Sequence, residues 1–204
     1  MTHPLERWFL YYAIYSFIGW VYESILCSVA GKKLVNRGFL NGPVCPIYGT
    51  GAVAVVFVLS PLKDRPVLLF FASAALTTTL EYLTSWAMEK LFHARWWDYS
   101  KRFLNIHGRV CLRGFVAVGA MSVLVVRYVH PRVAALTAHL SATATHILAS
   151  ALALLFCADL TLTLITVLGL DKRLRAAREA FREQLEERIP HLRSYATGVC
   201  PRIS

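Results

Sequence analysis

Trp8 to Val29, WFLYYAIYSFIGWVYESILCSV, runs for 22 residues with a single charged side chain, Glu23. A helix crosses a bilayer when about 20 consecutive residues are mostly apolar, so this stretch reads as a membrane span carrying one buried acid. The rest of the chain agrees with that solvent. Hydrophobic residues make up 56% and charged residues 17% of the 204, and the mean hydropathy is +0.49. A soluble domain carries closer to a quarter charged residues. Four further runs qualify as spans: Cys45 to Pro61, Pro66 to Met88, Val110 to Val129 and His146 to Leu168. The second is short, as a tilted or partly re-entrant helix would be. The expected fold is an all-α polytopic membrane bundle of about five spans. An interfacial helix between Pro131 and Thr145 and a cytoplasmic amphipathic C-terminal helix complete it.

Charge sets the expected orientation. With five spans, seventeen Lys and Arg fall on one side and five on the other, which puts the N-terminus outside and the C-terminus in the cytoplasm. A six-span hairpin over Val133 to Leu168 spreads the cations far more evenly and is the weaker topology. The net charge of +10 clusters beside membrane ends, where anionic lipid attracts it; membrane lipids are therefore the expected partners and nucleic acid is not. Ser28-Val29-Ala30 imitates a signal-peptidase site, but Glu23 and several tyrosines spoil the apolar region before it. The five cysteines, Cys27, Cys45, Cys111, Cys157 and Cys200, form no CxxC pair. Residues 1–170 read as one transmembrane domain and 171–204 as a cytoplasmic amphipathic helix and tail. In that tail Leu174, Ala177, Phe181, Leu185 and Leu192 recur at helical spacing, and Pro190 ends or kinks the helix.

An ionisable group inside a span costs roughly 2.5 to 3.5 kcal/mol on insertion scales and marks a site or a packing pair. Three such acids occur. Glu23 shares a face with Tyr12, Ser16, Gly19 and Cys27; Glu81 shares one with Ser73, Thr77 and Ser85; Asp159 shares one with Thr163 and Thr166. Counted from the predicted cytoplasmic ends, Glu23 and Glu81 lie about 9 to 11 Å deep. Both belong to the inner half of the bilayer.

Two connections flank these acids. Asn36 to Gly51, NRGFLNGPVCPIYGTG, holds Gly38, Gly42, Gly49 and Gly51 with Pro43 and Pro46. Irregular backbone at the membrane edge persists only when buried in protein or lining a wet cavity. The stretch is therefore expected to fold inward as a collar, with Asn36, Arg37, Asn41 and Tyr48 as its polar contributors. Leu91 to Arg113 adds WWDYS and NIHGR, offering Asp98, Tyr99, Asn105, His107 and Arg109. The candidate substrate-binding residues are Glu23, Glu81, Arg37, Arg109, Asn36, Asn41, Tyr48, Asp98, Tyr99 and Asn105. His93, Asp98 and His107 lack a metal-ligand spacing, so no metal or cofactor is expected.

Together YSFIGWVYE, NRGFLNGPVCPIYGTG, LEY and WWDYS with LNIHGRVCL resemble the CmpB-like, type IV ABC-transporter permease family of bacteria, over about residues 8 to 170. The resemblance implies a small inner-membrane protein with about five spans, and brings no catalytic or substrate residues with it. The sequence has no G-x-x-x-x-G-K-[ST] phosphate loop, so an ATPase would be a separate polypeptide. Three functions compete. The first is a permease or solute-capturing transport component with a polar cavity open to the cytoplasmic side, working with an ATPase, another membrane subunit or a second copy of itself. The second is a membrane enzyme acting on a lipid or lipid-linked substrate, with Glu23 and Glu81 as acid and base and Arg37 and Arg109 on a phosphate. The third is a structural or regulatory scaffold.

Overall fold

The computed structural model describes residues 4–32 and 38–188, and among them the regular elements are helices. They are α1 (Pro4–Gly31), α2 (Pro46–Leu59), α3 (Pro66–Phe92), α4 (Leu112–Leu124), α5 (His130–Ala138) and α6 (Ala142–Arg188). Arg37, Asn36 and Pro190 lie outside the described residues. Four stretches are long and apolar enough to cross a bilayer: Pro4–Val29, Pro66–Phe92, Leu112–Ala138 and Ala142–Gly169. A shorter apolar helix, Pro46–Leu62, joins them. The architecture is an all-α membrane helix bundle.

Small residues let the backbones approach. On α1 and α2 a Cβ added at Gly49 would collide with the Ser16 hydroxyl and lie 2.7 Å from the Tyr12 carbonyl; only glycine fits there. Gly19 packs on the Tyr48 side chain, and Trp8 meets Phe57 edge-on further down, so the two helices run antiparallel. The α3–α4 pair closes in the same way, with Gly119 against Phe70 and Ala74. Val55, Val56, Leu69 and Val126 form one buried apolar cluster, and Tyr11, Tyr15 and Val133 another. Outward faces stay apolar: Leu154 is 73% and Leu162 61% exposed, as lipid-facing positions are.

The segment after Val129 departs from expectation. Rather than an interfacial helix over Pro131 to Thr145, residues through Ala138 continue the span begun at Leu112, and Ala142 opens the next. A π turn at Val125–Val129 makes this continuity possible, with the His130 N–H bonded to the Val125 carbonyl five residues back. Pro131 has no N–H to give and its ring crowds the preceding turn. Widening that turn by one residue lets the helix pass the proline.

The chain divides into two compact units, Met1–Thr163 and Leu164–Ser204. The first contains the packed spans. In the second, α6 continues unbroken to Arg188, and Phe181 is 63% exposed among charged neighbours.

Candidate functional site

Of the described collar residues, Leu40, Cys45 and Gly49 are buried while Gly38, Asn41 and Pro43 are exposed. The Cys45 N–H bonds the Ser16 carbonyl at 2.9 Å, which places the start of α2 beside the middle of α1 rather than at its end. Pro46 occupies the first turn of α2, where a missing N–H costs nothing. From there the Tyr48 hydroxyl reaches Glu23 and donates to its Oε2 at 2.5 Å. Tyr22 packs edge-on against the Tyr48 ring at 6.2 Å.

The second carboxylate is met from the other connection. Tyr99 and Glu81 lie within electrostatic range of each other, and Glu81 within that of Glu23. Tyr99 belongs to the loop outside the spans. Burial, and then the Glu81 charge, push its hydroxyl up from the ordinary tyrosine range, so it stays protonated. The loop that carries it is held by its own polar groups. The Tyr99 N–H bonds the Gly108 carbonyl at 2.7 Å, and Ile106 pairs with Val110 in an isolated bridge. Asn105 donates to the Ser100 and Arg102 carbonyls and accepts from the Gly108 N–H. Gly108, at φ +69°, takes a backbone conformation that side chains rarely adopt. Asp98 accepts from the Ser100 N–H at 2.9 Å and from the Ser100 hydroxyl. Those bonds, aided by Arg95 and Lys101, hold its carboxyl below the usual aspartate range.

Arg109 takes a place of its own. Its Nη2 donates to Glu89 Oε2 at 2.6 Å, its guanidinium lies 5.5 Å from the centroid of the Tyr82 ring, and Trp97 Nε1 bonds its carbonyl. Arg95 joins Glu89 from the other side at 3.3 Å. Further pairs join Arg95 to Asp98 and His146 to Glu6. Among the described residues neither Glu23 nor Glu81 takes part in these pairs.

Of the ten candidate residues, then, the structure gathers Glu23, Tyr48, Glu81 and Tyr99 into one polar cluster. Asp98, Asn105 and Arg109 shape and anchor the loop that delivers Tyr99. Asn41, in the segment before α2, bonds to α6 instead: its N–H donates to Asp159 Oδ1 at 3.1 Å and its amide to Thr163 Oγ1 at 2.9 Å. Glu89, the anchor of both arginines, is missing from the candidate set. Its signal was present, since Glu81, Ser85 and Glu89 recur every fourth residue along α3. Buried Cys45 and Cys111 flank the cluster, Cys45 near Glu23 and Cys111 near Tyr99.

A bundle of apolar spans with two carboxylates set inside it defines a polytopic integral membrane protein. A family model described as "Putative ABC-transporter type IV" matches residues 10–164. The chain belongs to that family and is a membrane protein related to transport. No curated protein and no solved structure matches it.

Proposed function

We propose that the protein is the membrane-embedded, solute-capturing component of a transport system, taking a small cationic solute at Glu23 and Glu81 from the cytoplasmic side. The observation that carries this reading is the pair of span carboxylates, Glu23 bonded by the Tyr48 hydroxyl and Glu81 in electrostatic range of Tyr99 and of Glu23, with neither in the ion pairs seen among the described side chains. Tyrosine O–H groups orient carboxylate oxygens without neutralising them. Two neighbouring carboxylates in a poorly solvated interior call for positive charge between them. An organic ammonium group supplies that charge and several donors at once.

Arg95 and Arg109 do not compete for this role, because Glu89 holds both at the loop. The polar cluster faces the cytoplasm in the topology that puts the N-terminus outside, and energy comes from a separate ATPase subunit. Calorimetric titration of the purified full-length protein with methylammonium, against sodium and acetate, tests the site. Saturable binding of the organic cation alone is the expected result. Acetate binding, or no binding of either cation, would remove the cation-capturing role.

A further inference from the structure

Helix α6 touches the rest of its unit sparingly. Only 6% of its apolar window is buried, against 17 to 22% for the other long spans. Its ties through Thr163 are few and specific. His146 bonds Glu6 at 2.8 Å near one end, Phe156 packs on Phe9 and Tyr12, and Asp159 with Thr163 grips the collar. The grip is the strongest of these by geometry. Asp159 accepts two successive backbone N–H groups, Asn41 to Oδ1 at 3.1 Å and Gly42 to Oδ2 at 2.9 Å, while the Asn41 amide donates to Thr163. A Cβ at residue 42 would lie 2.9 Å from the same Oδ2, so the carboxylate fits against a glycine. Charge-assisted bonds to consecutive amides are stronger than neutral ones.

We propose that Asp159 is a positioning residue for the Glu23 and Glu81 site, acting through the collar. A continuous run of bonds joins them. Asp159 fixes Asn41 and Gly42; the Gly42 carbonyl accepts from the Val44 N–H at 2.8 Å; the Cys45 N–H bonds Ser16 on α1; and the Cys45 carbonyl accepts from the Tyr48 N–H at 3.1 Å. Tyr48 then donates to Glu23. Releasing the collar from α6 frees the residues that set the height of Tyr48 on α1, and Glu23 loses the donor that orients it. The consequence for binding rests on the cation-site reading. The collar geometry does not.

The test uses the full-length protein in detergent and the native Cys45 thiol, 7% exposed, as the reporter. N-ethylmaleimide modification is resolved by peptide mass spectrometry in the wild type, Asp159→Asn and Gly42→Ala. Cys111, 6% exposed, serves as the internal control. Asp159→Asn replaces one acceptor oxygen by a donor facing a donor; Gly42→Ala keeps every polar group and pushes the carboxylate away, so it decides the matter if the first variant folds poorly. At least tenfold faster modification of Cys45 with Cys111 unchanged is expected. An unchanged Cys45, or both thiols rising together, would overturn the proposal. Methylammonium affinity is the second readout, with a tenfold loss in Asp159→Asn expected. Faster Cys45 modification with unaltered affinity would overturn the positioning role. If the wild type binds no methylammonium, the cation reading fails and Cys45 alone judges the clasp.

Discussion

At the scale of single residues, the contact between α1 and α2 depends on the absence of a side chain at residue 49. Gly49→Ala places a methyl against the Ser16 hydroxyl and the Tyr12 carbonyl, and backbone cannot yield as a flexible side chain does. A cost of about 1 to 3 kcal/mol is expected, read as a lowered midpoint in thermal unfolding in detergent. Gly51→Ala meets only the Thr77 methyl at 3.8 Å, an ordinary contact, and should leave that midpoint within a degree or two. Glu23 and Glu81 were legible in the sequence because a charge inside an apolar run is costly and rarely idle. Tyr48 and Tyr99 were legible as polar members of two unusual loops. Asp159 stood out for the same reason as the glutamates, but its partners, Asn41 and Gly42, lie more than a hundred residues away, and helical spacing relates only residues close in sequence.

At the scale of elements, the loop between α3 and α4 is a small fold pinned to α3 by Glu89. Glu89→Gln weakens the hold on Arg95 and Arg109 together, and trypsin should then cut after Arg95, Lys101 or Arg102 severalfold faster than in the wild type. Equal rates would show that the bonds of Asn105 and Gly108 suffice. Acid acts on the same loop through Asp98. Because the Ser100 bonds lower its folded pKa, the turn is stabilised by ionised Asp98 above the unfolded value near 3.9. That contribution is lost as pH falls through the lowered folded value. The Ser100 amide resonance should shift with a midpoint below the ordinary aspartate value; a shift centred on that value would contradict the bond. Composition announced that this loop was special, but not its shape. A positive-φ glycine and a side-chain amide bridging two carbonyls are choices that many loop sequences could make. The span beginning at Leu112 was hidden differently: Pro131 and the polar residues after it look like an end, and only the π turn at Val125–Val129 carries the helix through them.

At the scale of the whole molecule, four long apolar helices and the shorter α2 are compatible with five crossings, and we propose their orientation from the sequence's excess of cations on one set of connections. A reporter fused after Arg193 should be active in the cytoplasm, and one placed between Lys63 and Arg65 outside; the reverse pattern would turn the polar cluster toward the other face. The bundle class was readable because hydropathy and helix length are local properties. The electrostatic proximity of Glu23 and Glu81 was readable only as shared depth, since nothing in a sequence states which faces of two helices converge. Their convergence underlies the central claim that the two carboxylates together receive a cation. The most direct measurement is calorimetric titration of methylammonium into the wild type, Glu23→Gln and Glu81→Gln, each first shown to unfold at nearly the same temperature. Removing one buried charge from such a pair costs about 2 kcal/mol or more, roughly thirtyfold in Kd, so each glutamine variant should bind at least that much more weakly. Glutamine variants that bind methylammonium as tightly as the wild type would contradict the account and leave the two carboxylates as packing groups of a helix bundle.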